Sequence, residues 1–288
     1  MNTKTRKKTI NQKLLPLMAV TLLSNACIAS GAYEDIIMAD NPVAYYRLEE
    51  SQGAITAVDS TTNHLDATYT YNGESTFPQL GNPGIDTNSI SFDGGGTIAA
   101  PADFVTIPYS PLLAPTNADG IAGAPFSAEA WVEANTQPGN YSVPVGMNGA
   151  YAGSGTYANA SGWNFYQSPG PASYWIFNMK PSPFLQSSAL IVPFQWYHLV
   201  GTYDGTNAYF YINGVLVTSG AASSGYYADN GYTGLIGAGV NIGFTPFSGG
   251  VDEVAIYKYA LSPAQVSAHY LSGTNSFRAV ETPPGFAS

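Results

Sequence analysis

Carboxylates are the residues of this chain that could carry out hydrolysis, and their spacing can be compared with known mechanisms. Cleavage of a glycosidic bond uses two carboxyl groups, about 5 Å apart in retaining enzymes and about 6.5–9.5 Å apart in inverting ones. Glu129 and Glu133 are four residues apart in a predicted strand, which separates them by about 13 Å. Asp252 and Glu253 are adjacent, so alternation directs them to opposite faces. Neither pair fits hydrolysis.

A second group of oxygen donors lies in the loop from Asp59 to Asp66, which reads DSTTNHLD. Calcium takes about six to eight oxygen ligands from carboxylates, amides and backbone carbonyls. This loop can supply Asp59, Asn63 and the carbonyl of Leu65. It is therefore a candidate calcium site, with a solvated polar loop as the alternative.

A stretch from 141 to 192 that is rich in Tyr, Gly, Ser and Pro contains four aromatic candidates for ligand binding: Trp163, Tyr166, Tyr174 and Trp175. Carbohydrate sites combine aromatic faces with a few polar groups in a cleft. We predict that these four residues bind a glycan. The alternative is that they belong to the core, because large aromatic side chains are mostly buried, and Trp131 and Trp196 are predicted to be core residues.

Other catalytic and cofactor motifs are missing from the sequence. It has no G-x-S-x-G nucleophile motif and no H-E-x-x-H zinc motif. Gly237-Ala238-Gly239 precedes no predicted helix, so it does not indicate a dinucleotide-binding loop.

The elements that would position these residues are mostly strands. The run from 196 to 218, WYHLVGTYDGTNAYFYINGVLVT, predicts a three-stranded antiparallel meander. Its second turn, Asn213-Gly214, suits a type I′ hairpin, because both residues tolerate positive φ. Both faces of the strand from Trp196 to Tyr203 carry apolar groups, which indicates a strand between two layers. Further strands are predicted over 43–49, 89–93, 104–108, 126–134, 162–166, 174–178, 235–244 and 251–257.

One helix is predicted near the C-terminus. Ser262 is an N-cap candidate, Pro263 suits the first helical position, and Gln265 completes a capping box. Gly273 is expected to end the helix, which leaves residues 274–288 as a tail.

Composition indicates a turn-rich extracellular β protein. Charged residues make up only 10% of the chain, and the sequence contains 31 Gly and 20 Pro. No apolar segment after the N-terminal region is long enough to span a membrane, so no internal span is expected. The formal net charge is −10, which disfavours nucleic acid as a partner.

The first 32 residues have the features of a signal peptide. A basic region with five Lys or Arg residues precedes an apolar run from Leu14 to Leu23, and Ser30-Gly31-Ala32 offers a cleavage site before Tyr33. Lipoprotein anchoring at Cys27, the only cysteine, is a less favoured alternative. Cleavage would leave four basic residues against 19 acidic ones, a formal charge of −15. We predict a secreted, periplasmic or cell-surface protein.

Several motifs resemble the laminin-G-like, concanavalin A-like jelly-roll domains of bacterial secreted proteins. The meander is similar to the core of the family. The segment 126–132 (FSAEAWV) is similar to the family's F-x-x-E-A-W-V strand, and the segment 250–257 (GVDEVAIY) is similar to its closing strand. The resemblance implies that the Asp59 loop and Asp252 share the ligands of a structural calcium ion, although Thr62 stands where the family has glycine. It implies a fold and leaves the function open, because the family is a scaffold.

The sequence therefore predicts an all-β, two-sheet antiparallel jelly-roll sandwich over residues 33–273 with one short C-terminal helix. The favoured function is non-catalytic binding of an extracellular glycan. A divergent glycoside hydrolase or lyase, and an adhesion protein that binds a surface protein, are the alternatives.

Overall fold

Two antiparallel sheets are stacked in this chain, as the sequence predicts. The computed structural model describes residues 32–71, 78–97, 100–101, 103–114, 116, 123–148, 161–222, 231, 233–239 and 246–281. The predicted signal segment lies outside these residues except for Ala32.

The described elements are two helices and eighteen strands. Their bounds in chain order are α1 (Ala32–Ala39), β1 (Ala44–Tyr46), β2 (Thr56–Ala57), β3 (Ala67–Tyr71), β4 (Gln79–Pro83), β5 (Asn88–Asp93), β6 (Gly96–Thr97), β7 (Ala100–Pro101), β8 (Asp103–Ile107), β9 (Phe126–Ala134), β10 (Ser142–Asn148), β11 (Gly162–Gln167), β12 (Trp175–Met179), β13 (Phe184–Gln186), β14 (Trp196–Tyr203), β15 (Asn207–Ile212), β16 (Val215–Ala221), β17 (Gly234–Ile236), β18 (Ser248–Tyr257) and α2 (Pro263–Glu281).

Strand order defines the two layers of the sandwich. Sheet A has the order β16-β15-β14-β9-β18-β5-β4, and β1 pairs with β18. Sheet B has the order β13-β12-β11-β10-β17-β8-β3-β2, and β6 and β7 form a small separate ribbon. The central meander is confirmed as β14, β15 and β16, and the turn residues Asn213 and Gly214 have φ angles of 52° and 77°.

The main core lies between the sheets, where alternate residues of each strand interdigitate. From sheet A it takes Phe126, Leu199 and Phe210, and from sheet B it takes Phe165 and Phe177. Phe165 packs against Phe177 and Phe210 with ring centroids 5.6 and 6.2 Å apart. Burying such large rings supplies much of the driving force for stacking the two sheets.

A second, smaller core covers the outer face of sheet A, where α1 and α2 pack. It includes Tyr33 and Ile37 of α1, Val266 of α2, and Trp131 and Val200 of the sheet. The prediction that β14 lies between two layers is therefore confirmed. The outer layer is helical, because the period of two leaves an apolar stripe that helices can cover.

The helices differ from the sequence prediction in two ways. Most of residues 33–40, expected to be a lead-in, belong to α1 (Ala32–Ala39). In addition, α2 continues through Gly273 to Glu281, so the predicted end at Gly273 and the tail from 274 are wrong. A Cβ atom at position 273 would lie 2.5 Å from Cζ2 of Trp131. Glycine is thus needed there for close packing of the helix on the sheet rather than for a helix end.

Candidate functional site

Three of the four predicted glycan-binding aromatics are interior residues, which contradicts the prediction of an accessible site. Trp163 and Trp175 are each 1% exposed and belong to the core between the sheets. Tyr166 is 2% exposed and packs with Val143 and Ile176 on the other face of sheet B. Strand alternation explains the error, because Trp163 and Trp175 occupy inward positions of β11 and β12. Tyr174, just before β12, is half-buried.

The predicted calcium ligands make hydrogen bonds within the protein. Asp59 Oδ1 accepts hydrogen bonds from the backbone N–H groups of Tyr45 and Thr61, at 2.9 and 3.0 Å. Its Oδ2 accepts bonds from Thr61 Oγ1 and Leu65 N, both at 2.9 Å. Four donors therefore occupy the carboxylate that a cation would need.

The other predicted ligands also have protein partners. Asn63 Nδ2 donates to the carbonyl of Val43 at 2.9 Å, and the carbonyl of Leu65 accepts from the Tyr46 hydroxyl at 2.7 Å. Asp252 Oδ2 accepts from Ile85 N at 2.7 Å. These contacts close the loop and attach β18, whereas Asp252 Oδ1 is buried without a hydrogen-bond partner among the described residues. Calcium binding by the four residues stays a prediction.

Asp252 and Glu253 both have partners on the outer side of sheet A, which corrects the expectation that they face opposite ways. The pairing of β18 with β9 shifts register between Asp252 and Ala255, and Glu253 has a φ of 53°. Such a β-bulge inserts one residue and turns two successive side chains to one side. Glu253 Oε2 consequently accepts a hydrogen bond from the hydroxyl of Tyr45.

Glu253 belongs to a carboxylate group that is neutralised in part by arginine. Oxygens of Glu49, Asp86 and Glu253 lie within 4.8 Å of one another. Arg47 Nη2 lies 2.8 Å from Asp86 and 3.6 Å from Glu49, and this guanidinium supplies positive charge at the group. Burial raises the pKa of Glu253 well above its ordinary value.

Glu129 is fixed in a buried network that attaches α2 to sheet A. His269 Nδ1 lies 3.0 Å and His198 Nε2 2.9 Å from Glu129 Oε2, and the Tyr257 hydroxyl donates to Oε1. The other ring nitrogen of His269 lies 2.9 Å from Asp40 Oδ2. An imidazole with a carboxylate at both nitrogens favours the doubly protonated form, and the pKa of His269 is raised to about 9. Burial opposes this shift, while Glu129 and Asp40 produce it.

The pKa of Glu129 shifts in the opposite direction from that of His269. Burial alone would raise its pKa, but the adjacent His269 and His198 lower it well below the ordinary value. Because Glu129 is 0% exposed and bonded on both oxygens, it is an anchor for the helix and has no access to a substrate.

An open cavity lies on the outer face of sheet A, beside this network. Its volume is about 540 Å³, and its lining residues are Pro83, Ile85, Trp131, Glu133, Phe194, Gln195, Trp196, Asn213, Tyr270 and Thr274. We call it the Glu133 cavity. It combines four aromatic side chains, one carboxylate, two amides and the hydroxyls of Tyr270 and Thr274, which is the composition of a small-ligand site.

Strand pairing builds the floor of the Glu133 cavity. Glu133 lies opposite Trp196 on β14 and opposite Gly250 on β18. A Cβ atom at position 250 would lie 2.8 Å from Cη2 of Trp196, so the glycine leaves the space that this ring occupies. Trp131, two residues before Glu133, points to the same side. Its Nε1 donates to the Tyr33 hydroxyl at 2.9 Å.

The walls of the cavity come from α2 and two connections. Tyr270 of α2 stacks on Trp131 with centroids 5.7 Å apart. Phe194 is 71% exposed and has a φ of 60°, a left-handed conformation that is uncommon for a bulky residue and that often occurs at functional sites. Its backbone N–H donates to the carbonyl of Ala134 at 2.9 Å. Asn213 Oδ1 accepts from His198 N at 2.9 Å, which leaves its amide NH₂ as the group able to donate to a ligand.

The sequence did not predict this cavity, because Trp131 and Trp196 were both expected to be core residues. Trp131 is indeed buried, at 3% exposure, but Trp196 is only half-buried and faces the cavity. A usable signal was present. Trp131 and Glu133 share one face of a strand, and Phe194 and Gln195 directly precede Trp196, the first residue of the neighbouring strand β14.

A family model for the concanavalin A-like lectin/glucanase superfamily, of the laminin G type, matches residues 106–267, more than half of the chain. The chain belongs to this superfamily. It is a lectin-like β-sandwich, as its motifs predict. No curated protein matches the chain in sequence.

Three solved structures illustrate the relationship of this superfamily member to known proteins. Domain 4 of AbnA, a GH43 extracellular arabinanase from Geobacillus stearothermophilus in complex with arabinotriose, is 20% identical, with a TM-score of 0.53 over 80% of this chain and 98% of that one. The botulinum neurotoxin serotype G binding domain is 16% identical, with a TM-score of 0.55 over 80% and 51%. A Trypanosoma rangeli sialidase in complex with sialic acid is 15% identical, with a TM-score of 0.52 over 80% and 32%.

These similarities concern the fold alone. The chain spans nearly all of the arabinanase domain, about half of the toxin binding domain and about a third of the sialidase.

Proposed function

We propose that this protein is a non-catalytic carbohydrate-binding domain whose ligand occupies the Glu133 cavity. The observation that carries the proposal is the set of lining side chains. Aromatic rings at Phe194, Trp196 and Tyr270 can stack on the apolar faces of a sugar, and Glu133, Gln195 and Asn213 can bond its hydroxyl groups.

The surroundings of Glu133 favour binding over hydrolysis. Glu133 is the single carboxyl group among the described residues that line the cavity, whereas glycoside cleavage ordinarily uses two. The nearest acidic residue on the same strand face, Glu129, is fully buried by its histidine partners. The complex of arabinanase domain 4 with arabinotriose supports the view that this fold can hold an oligosaccharide.

Replacement of one exposed ring tests the proposal. Phe194→Ala should weaken binding of the best ligand from a glycan array about tenfold, because removing an aromatic anchor typically costs about 1–2 kcal/mol. Isothermal titration calorimetry measures the change. Phe184→Ala is the matched control, because Phe184 is 50% exposed on the strand β13 of sheet B.

The two variants together decide the question. Equal loss of affinity in both, or no loss in Phe194→Ala, would place the site elsewhere. Release of reducing sugar from any bound polysaccharide would instead support the hydrolase alternative.

We also propose that the chain is exported, with cleavage before Tyr33. The basic and apolar segments of residues 1–32 support this. Expression in a bacterial host followed by N-terminal sequencing should give Tyr33 as the first residue. A product that begins with lipid-modified Cys27 would show anchoring instead.

A further inference from the structure

The carboxylate of Glu133 has no protein counter-charge in the described part of the chain. No hydrogen bond or ion pair among the described residues ends on it, and it is half-buried. Burial is the single cause that raises its pKa above the ordinary 4.5. Any donor that satisfies this carboxylate therefore has to come from solvent or from a ligand.

The described residues around Glu133 supply no positive charge to offset its own. Its neighbours across the strands are Trp196 and Gly250, which are uncharged. The described lining residues include no Lys, Arg or His. Burial raises the pKa values of Asp252 and Glu253, further along β18, and disfavours their charged forms. The nearby His198 and His269 are already paired with Glu129.

These charges have opposite consequences for different sugars. A carboxylate can accept bonds from sugar hydroxyls and attracts a protonated amine, and the rings around it add cation–π attraction. An acidic sugar would bring a second negative charge next to Glu133 with no cation between them, which is unfavourable in a partly desolvated site.

We infer that the Glu133 cavity admits neutral sugars, favours those that carry an amine and rejects acidic ones, with Glu133 as the residue that sets this order. The inference rests on the proposed function and adds a ligand class to it.

Three trisaccharides with the same linkage and ring configuration form the test, namely β-1,4-linked glucosamine, glucose and glucuronic acid. Their affinities for the full chain are measured by calorimetry just below neutral pH, in low salt, where the amine is protonated. The wild type should bind the amine-bearing trisaccharide most tightly and the acidic one most weakly. In Glu133→Gln, which keeps the shape and hydrogen-bonding capacity, the ratio of these two affinities should fall at least about fivefold.

A second variant makes the test independent of any loss of folding in the first. Gln195→Glu adds a carboxylate at the rim of the cavity and should increase the ratio instead. If the glucose trimer binds and Phe194→Ala weakens it, but neither charge variant moves the ratio, this inference is overturned and the proposed function stands. If no trisaccharide binds and a glycan array is also empty, the proposed function falls, and the inference with it.

Discussion

At the scale of residues, this protein uses buried carboxylates mainly to join segments of chain. Asp59 accepts four hydrogen bonds, and Glu129 accepts bonds from two histidines and a tyrosine. Buried acids of this kind hold a fold together only as long as each oxygen is satisfied. Glu133 differs from them, because its carboxylate is accessible to a ligand.

Asp59 gives the first prediction at this scale. Asp59→Asn should lower the free energy of unfolding by about 2–3 kcal/mol, because an amide NH₂ replaces a buried oxygen that accepts two bonds. Urea denaturation measures the loss, and it should be the same with calcium and with EDTA. Asp66→Asn replaces an exposed carboxylate that accepts a single bond from Asp59 N by an amide whose oxygen can still accept it, and it should cost less than about 1 kcal/mol. Calcium-dependent stability in the wild type that Asp59→Asn abolishes would support the predicted metal site.

Gly250 gives the second prediction at the scale of residues. In Gly250→Ala the new methyl group meets the indole ring of Trp196, which must then move into the Glu133 cavity. Glycan affinity should fall about fivefold or more, since the ring is a cavity wall. Gly139→Ala is the control, because a Cβ atom there has nothing within 4 Å. Unchanged affinity in Gly250→Ala would show that Trp196 does not contact the ligand.

At the scale of elements, the long helix α2 determines whether the cavity exists. It contributes Tyr270 and Thr274 to the lining, and its neighbouring residue His269 is bonded to Glu129 on β9 and to the carboxylate of Asp40. The contact with Asp40 also connects α2 to the segment that follows α1. Anything that weakens this network should loosen one wall of the site.

The ionisation of His269 makes the attachment of α2 depend on pH. Its pKa is raised from 6.5 to about 9 in the folded protein, so its contribution is complete below pH 6.5 and is lost as the pH rises through 9. The pKa of Glu129 is lowered, so the contribution of that residue is present above its unfolded value of 4.5 and is lost as the pH falls toward its folded value.

The corresponding experiment compares urea denaturation of the wild type and His269→Gln over the range from pH 6.5 to 9 given by these values. The stability difference between the two proteins should shrink with rising pH by roughly 1–3 kcal/mol. Subtraction removes the effect of Asp252 and Glu253, whose raised pKa values act in both proteins. His198, with a lowered pKa, is neutral in this range. A constant difference would show that His269 is uncharged in the folded state.

At the scale of the whole molecule, the excess of acidic residues should disfavour polyanionic partners. The sequence carries 19 acidic residues and nine basic ones, five of which lie in the first 32 residues. Neither helix of the described chain is long and apolar enough to cross a lipid bilayer. The large negative charge should repel polyanions over distances of about a Debye length.

Chromatography provides the corresponding test. The protein should pass through a heparin column at low salt without retention, while a strong anion exchanger should retain it. Retention on heparin that added salt abolishes would reveal a cationic patch, and it would also count against the exclusion of acidic sugars from the Glu133 cavity.

Much of the fold could be predicted from local patterns. The bounds of β9 and β14 agree with the prediction, because alternation and aromatic content determine which segments become strands. The bounds of α2 were wrong at the end, because a glycine that packs against Trp131 has the same local signal as a glycine that ends a helix.

The sequence by itself determined that this chain is a two-sheet sandwich, since period-two alternation and turn chemistry act over a few residues and are visible in any one segment. Tertiary structure decided which tryptophan lines the Glu133 cavity and which acid is an anchor. Trp163, Trp196, Glu129 and Glu133 all occupy strands with similar patterns. Their different roles depend on the helix or sheet packed over each face, and those contacts join residues that are distant in the chain.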